Sequence, residues 1–422
     1  MIHSMESSPR EPEAVPYHPA RSLATGQRSL GDPSVRYPLW PPLTAGCPRT
    51  ADGDTVYPLE VEYDYAAVPE DLFRRPAGPG LERWAPLLPP LAAPGLGEGN
   101  TPLVPIGGGV HVKDESRNPT WSHKDRLNRV AVSAAKESGA PGVVVASSGN
   151  HGAAAAAYAA RAGLRCAVFT SPHTPPAVAS FVRAYGATVV TVEREWLRPL
   201  VRRVVEEFGY HPVSSVTDTA HTGHPFGPEG YKTIAYEIFR DLGRVPAAVY
   251  VPTGYGELLF GVWKGFHELT LLGRADRVPR LYACEPAAGG PLGAALRAGR
   301  PAAQVPVGPT GAYGIACPVG GYRGVVAVRR SDGAALAVTD AQLTAARAEL
   351  AAQGMWVELS SAAGLAGLRA RRASGAAAED GDGPVVCVAT SSGFKDLATG
   401  TGTYPATTPE WPAVRELLRQ GA

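Results

Sequence analysis

The chain has 422 residues, long enough for two or three packed layers and more than one domain. It is 44% hydrophobic and 19% charged, with a formal net charge of +1. That fits a globular protein and provides no overall field for nucleic acid or an anionic membrane. Its five cysteines (Cys47, Cys166, Cys284, Cys317, Cys387) are odd in number, widely spaced and never CxxC. They argue against a disulfide framework or zinc ribbon and for a reducing compartment, the cytoplasm. The N-terminus shows no basic segment followed by an apolar run, and the longest uncharged stretches are all interrupted, so neither a signal peptide nor a transmembrane helix is expected.

In chain order, residues 1–35 are polar and proline-rich and read as a flexible tail. Residues 36–95 form an N-terminal extension with an alternating edge strand over 57–65. Gly99-Asn100-Thr101-Pro102-Leu103 is a turn before a short strand, and 110–113 is another. The stretch from Asn118 to Gly152 organises the remainder of the chain. A polar turn leads to Lys124 at the head of a helix that ends at Ser138-Gly139. The β-branched run Val143-Val144-Val145 then enters Ser147-Ser148-Gly149-Asn150-His151-Gly152 and an alanine helix. A lysine at one helix start and a Gly/Ser/Asn turn at the next suggest an anion site of backbone N–H groups and one amine.

From there strands and helices alternate: strands over 164–170, 188–192, 247–251 and 280–285, and helices over 175–185, 194–208, 230–242 and 258–272. Such alternation predicts an α/β fold with parallel sheets and crossover helices. Residues 301–322 read as a loop. A helix over 339–353, a strand over 355–359 and a helix over 360–371 come after it. Then come an acidic surface loop over 374–383 and a buried strand over 385–389 that delivers Thr390.

Only six of the 40 basic residues are lysines (Lys113, Lys124, Lys136, Lys232, Lys264, Lys395). Arginine cannot serve as an amine nucleophile, so a lysine kept in an arginine chain hints at special chemistry. Lys136 reads as ordinary surface; Lys124 does not. The Pro252-Thr253-Gly254-Tyr255-Gly256-Glu257 junction is either a phosphate cradle or a plain tight turn. It lacks the P-loop lysine and the third glycine of a dinucleotide motif. Ser147 and Ser148 are more than one helix cap needs. His151 either faces substrate or fills the turn. Thr390, at a strand's carboxyl end where open sheets bind ligands, is either a ligand contact or a turn hydroxyl. Asp125 reads as an ion-pair or capping residue rather than an acid catalyst.

These pieces together resemble the fold-type-II pyridoxal-phosphate enzymes, and within them the threonine synthase branch, over about residues 97–400. The resemblance rests on Gly99–Leu103 (GNTPL), on Asn118-Pro119-Thr120 with Ser122, Lys124, Asp125 and Arg126 (NPTGSFKDR), and on Ser147–His151. It continues through Glu229-Gly230 with Lys232-Thr233 (EGQKT), Pro252–Gly256, Glu358 with Ser361-Ala362-Ala363 (EPASAA), and Thr390 with Gly393, Lys395 and Asp396 (TGHGLKD). It implies two open parallel-sheet domains: a large cofactor-binding one from residues 96–117 and 225–422, and a small mobile one from 118–224.

By the same resemblance Lys124 carries pyridoxal phosphate as an imine and then serves as the base for the α-proton. Gly254, Tyr255, Gly256 and Glu257 bind its phosphate, Asn150 meets the ring's 3′ oxygen, and Thr390 approaches the pyridine nitrogen. Ser147, Ser148, His151 and His123 fall on the substrate side. If His123 faces the cofactor, its reference pKa of about 6.5 makes it a tuner of activity near neutral pH. Trp121 and His123 stand where the family has Gly and Phe, His151 follows the dehydratase pattern, and Gly227 replaces the arginine of threonine synthases. Arginine is the natural bidentate partner of phosphate. The expected activity is therefore β-elimination or β-replacement on a small L-amino acid. Threonine synthase action on O-phosphohomoserine and a catalytically idle cofactor-binding homologue are the alternatives. No metal is expected, and a homodimer is the candidate assembly.

Overall fold

The computed structural model describes residues 21–51, 55–76, 78, 80–147, 149–172, 174, 176–396 and 409–420. Ser148 and residues 1–20 of the expected tail lie outside them. The rest of that tail is not loose. β1 (Ala24–Ser29) is the middle strand of an antiparallel sheet with β2 (Arg36–Pro38) and β3 (Leu59–Tyr63). The prolines that coloured the segment stop at Pro19 and resume only at Pro33, leaving a paired strand between them. Gln27 is fully buried there, and its amide donates to the carbonyls of Pro38, Leu39 and Pro41.

β4 (Leu103–Gly107) and β5 (Val110–Asp114) form an antiparallel hairpin that leads to α1 (Lys124–Glu137). Next come β6 (Gly142–Ala146), α2 (Asn150–Ala162), β7 (Arg165–Thr170), α3 (Pro176–Ala184), β8 (Thr188–Thr191), α4 (Arg194–Phe208) and β9 (His211–Pro212). These four strands make a parallel sheet ordered β8-β7-β6-β9. α5 (Gly227–Leu242), β10 (Ala248–Pro252), α6 (Glu257–Leu271), β11 (Arg280–Pro286), α7 (Pro291–Arg297) and α8 (Tyr322–Arg330) succeed them. β12 (Ala334–Val338), α9 (Asp340–Ala352), α10 (Ala363–Ala373), β13 (Val385–Ala389) and α11 (Trp411–Gln420) complete the described chain. The second large sheet runs β12-β11-β10-β13-β5-β4 and is parallel except for the β4 hairpin.

The valines of β6 are buried on both faces, as a strand covered by helices on each side requires. The alanines of α2 from Ala153 to Ala157 are buried as well, and their small size lets α1 and α2 approach closely. α5 lies against α1 so tightly that a Cβ on Gly230 would collide with the Arg126 carbonyl.

Two expectations change. Residues 355–359 do not form a strand; Val357 makes one bridge with Ser392, and a 3-10 turn (Leu359–Ala362) precedes α10. The segment over 374–383 is not a free acidic loop. Asp380 is buried and accepts hydrogen bonds from the hydroxyls of Tyr250 (2.7 Å) and Tyr282 (2.5 Å). Among the described residues, no helix is long and apolar enough to cross a membrane.

Candidate active site

The carboxyl ends of β6, β10 and β13 deliver three loops, at Ser147, Thr253–Gly256 and Thr390. The head of α1 supplies the lysine. A brace behind it holds Lys124 there: the Asp125 carboxylate accepts from the Thr120 amide (2.7 Å) and hydroxyl (2.5 Å). Burial pushes the Asp125 carboxyl up, and these two bonds oppose it. In front, the His123 amide donates to the Thr390 carbonyl (2.9 Å), tying the lysine loop to the end of β13.

The Lys124 amine lies 5.6 Å from the centre of the Tyr231 ring and makes no hydrogen bond or ion pair among the described residues. Burial lowers its pKa, with the charge of Glu257 acting in the opposite direction. Beneath it, two residues further along the same helix, Arg126 is fully paired. The Arg126 guanidinium bonds Glu115 (2.7 and 2.8 Å) and Glu237 (2.6 and 2.8 Å). Lys113 reaches the same Glu237 at 2.7 Å. Thr101 donates to Glu115, and Asn118 receives the Gly99 amide. The GNTPL and NPT…KDR stretches therefore meet in one buried lattice under the lysine.

The glycine loop after β10 is built for close approach. A Cβ on Gly254 would lie 2.8 Å from Cys317 Sγ, and one on Gly256, at φ +87°, would meet the Gly324 backbone at 2.8 Å. The N–H groups of Gly254, Tyr255 and Gly256 donate to no protein acceptor among the described residues, and the N-terminus of α6 adds its own free donors. The Tyr255 ring stacks on His221 at 3.9 Å. Glu257 opens α6, with one carboxylate oxygen 3.1 Å from His221 Nε2 and the other without a partner. Burial would raise its pKa, but His221 and then Lys124 and Arg323 hold it well below the usual carboxylate range.

Asn150, the first residue of α2, donates to Glu358 (2.9 Å) and accepts from Lys395 (2.8 Å) and the Ser391 hydroxyl (3.2 Å). The Thr390 hydroxyl shares a hydrogen bond with Ser361 (2.9 Å). The Ser147 hydroxyl accepts from the Gly149 amide. His151 is half-buried with Nε2 unpartnered; burial first, then the charge of Lys124, pushes it down to about 3. His123 turns its Nδ1 to the Thr390 carbonyl (3.2 Å), and burial and Lys124 push it well below its ordinary value. That downward push moves His123 away from the reference value on which the tuning expectation rests. Gly227 is sealed: a Cβ there would lie 2.9 Å from Leu127.

Sequence alone gave no role to Lys395 and Glu358, although both lie in motifs. The available signal was lysine scarcity. Lys113, Lys232, Lys264 and Lys395 are all interior, between 0 and 3% exposed, whereas Lys136 is on the surface.

The family model described as "Pyridoxal-phosphate dependent enzyme" matches residues 95–391. The threonine synthase of Synechocystis sp. is 37% identical over 335 residues, covering 75% of this chain and 83% of that protein. That of Methanosarcina acetivorans is 33% identical over 360 residues, covering 81% and 86%. In three dimensions the chain is similar to maize serine racemase (TM-score 0.60, 21% identity, 70% of this chain and 88% of that one). It is also similar to diaminopropionate ammonia lyase from Escherichia coli (TM-score 0.62, 17% identity, 72% and 87%).

Proposed function

This chain belongs to the pyridoxal-phosphate dependent enzyme family, and from that premise we propose that it performs β-elimination or β-replacement on a small L-amino acid, with Lys124 at the reacting centre. The residues present fit the cofactor. Unpaired N–H donors line a loop in which a side chain at Gly254 or Gly256 has no room, and the unpaired Lys124 amine feels the charge of Glu257 at the loop's end. Lys124 would anchor the cofactor, Gly254–Glu257 would hold its phosphate through backbone N–H groups, and Asn150 and Thr390 would meet the ring's 3′ oxygen and nitrogen. When bound, the cofactor supplies an electron sink that makes the substrate's Cα–H bond acidic.

The chain's own groups do the rest. The desolvated Lys124 amine reaches its neutral form more readily than an exposed lysine and can take the α-proton. Thr390 offers the ring nitrogen a hydroxyl already engaged with Ser361, not a carboxylate, which favours elimination and replacement over transamination. Ser147 and His151, at or just before the head of α2, stand on the substrate side, where free N–H groups suit a carboxylate; Ser148, outside the described residues, is assigned to the same role from its motif. His123 lines the same side through its ring. Residues 118–224 act as the smaller, mobile unit against 96–117 and 225–422. A cytoplasmic homodimer completes the proposal; five free, buried cysteines support the compartment.

The observation that carries this reading is an unpaired Lys124 amine within reach of the charge of Glu257, which closes a glycine loop of unpaired backbone donors. The test is the visible spectrum of the purified protein, followed by borohydride trapping and peptide mass analysis. A yellow protein labelled at Lys124 is expected. A colourless protein that takes up no added cofactor, or a label on another lysine, refutes it. A second reading, threonine synthase acting on O-phosphohomoserine, is favoured by relatives of that name at 32–37% identity. Phosphate release from that substrate, measured against a panel of unphosphorylated amino acids, decides between the two.

A further inference from the structure

Four lysines are interior, and three of them are paired with carboxylates. Lys113 meets Glu237 at 2.7 Å, Lys232 meets Glu229 and Glu268 at 2.7 and 2.9 Å, and Lys264 meets Glu229 at 2.7 Å. Lys395 is the exception. It is 1% exposed, yet no carboxylate among the described residues lies within ion-pair distance, and its hydrogen bond goes to the side-chain carbonyl of Asn150. A buried ammonium spent on a neutral amide is costly unless the amide's orientation matters.

The hydrogen-bond inventory of that amide is nearly closed. Its oxygen accepts from Lys395 (2.8 Å), while the single Ser391 hydroxyl hydrogen is shared between that oxygen (3.2 Å) and the Trp121 carbonyl (3.1 Å). Its nitrogen has two hydrogens, and Glu358 (2.9 Å) takes one. One N–H is left over, so with its oxygen turned to Lys395 the amide can give a hydrogen bond at this point. The three grips come from the segments after β13 and before α10, while Asn150 sits at the head of α2. One side chain therefore joins the two large sheets.

We infer that Lys395 is a positioning residue that fixes the rotation of the Asn150 amide, with Glu358 as the opposing grip, so that an N–H and not a C=O is presented to the oxygen on the cofactor ring. This rests on the cofactor reading above. The groups facing Lys395 are Asp125 on α1, Glu358, His123 and the Phe181 ring of α3 at 5.4 Å. Burial pushes the Lys395 amine down to about 8, and the charges of Asp125 and Glu358 oppose that push and favour the cation. Without the cation the carbonyl loses its stronger partner, and the amide can turn to offer either end.

The test compares wild-type protein with Lys395→Met and, in case that variant folds poorly, Glu358→Gln. Cofactor affinity is read by equilibrium dialysis of the cofactor-free proteins against pyridoxal phosphate, and the visible band is recorded for the loaded fraction. Lys395→Met is expected to bind roughly 10- to 100-fold more weakly, with a displaced band, and Lys395→Arg to recover part of both. Glu358→Gln is expected to move both in the same direction by less. Wild-type protein loaded at Lys124, with both variants matching it in affinity and band, overturns the inference alone. Wild-type protein that takes up no cofactor overturns the proposed function and this inference together.

Discussion

Two polar regions lie on either side of the first turn of α1. Beneath it, Arg126, Glu115, Glu237, Lys113 and Thr101 form a buried lattice of bonds between 2.6 and 3.2 Å. Above it, Lys124 has no partner among the described residues, His151 Nε2 has none, and one oxygen of Glu257 has none. Both regions are rich in ionisable groups, the lower one fully buried and the upper one, at Lys124 and His151, half-buried. The difference is satisfaction: the lower set spends every charge on a neighbour and so specifies a shape, whereas the upper set keeps charges free for a visitor. Buried polar groups left without partners are costly, and functional sites are where proteins retain them.

The contrast breaks most sharply at Lys124. Lys124→Ala is expected to lower kcat/KM by at least about 1,000-fold while leaving the urea midpoint unchanged or higher, since a desolvated, unpaired amine is removed. Initial rates and urea titrations on the same preparation check both halves. Arg126→Met makes the opposite cut. It strands Glu115 and Glu237, and a loss of about 3–5 kcal/mol is expected; a loss below about 1 kcal/mol would show that the lattice does not hold the helix.

Glu229 tests the same idea through pH. Burial would raise its carboxyl, but Lys232 and Lys264 outweigh burial and hold it below the usual range. A depressed carboxyl adds stability that is present above the unfolded value and lost as pH falls through the folded one. Glu229→Gln should therefore cost roughly 2 kcal/mol at pH 7 and flatten the acid limb of the stability curve below about pH 4.5. Thermal melts from pH 7 to pH 3 give both numbers. An unchanged acid limb would remove Glu229 from the account.

Trp121 gives the smallest effect. It sits at φ +62°, where glycine is at ease, and its ring packs against Phe181 and Phe394 at 5.3 and 6.0 Å. Trp121→Gly relieves about 1–2 kcal/mol of backbone strain and loses about 0.5–1.5 kcal/mol of aromatic contact. Stability should shift by less than about 1 kcal/mol, while relative rates across an amino-acid panel change. An unaltered substrate ranking would make the ring a simple cover.

The alternation of strands and helices from 142 to 286 was legible because β-branched runs and Gly-ended helices are local signals. β12 was not, because Ala-Ala-Leu-Ala-Val has no strand signature of its own and is defined only by pairing with β11. The lysine and the glycine loop could be read from residue type and spacing. The grips on Asn150 could not, since they join positions 208 to 245 residues apart. Asp380 was misplaced for the same reason: two tyrosines 98 and 130 residues away make an acidic loop residue interior.

The strand Leu59–Tyr63 has a consequence for synthesis. Val61 and Tyr63, with Tyr65 just beyond the strand, find their polar partners on Glu229, Lys264 and Glu268, at separations of 166 to 203 residues. At ordinary translation rates of about 5–20 residues per second, this edge waits on the order of 10–40 s at the ribosome before the helices that complete it emerge. The first part of the chain to be made is therefore among the last to be satisfied. A locally paired sheet whose buried polar groups wait that long is a natural client for a chaperone that holds nascent chains, and slowing elongation should lower soluble yield more than it does for a protein whose first sheet is covered by neighbouring segments.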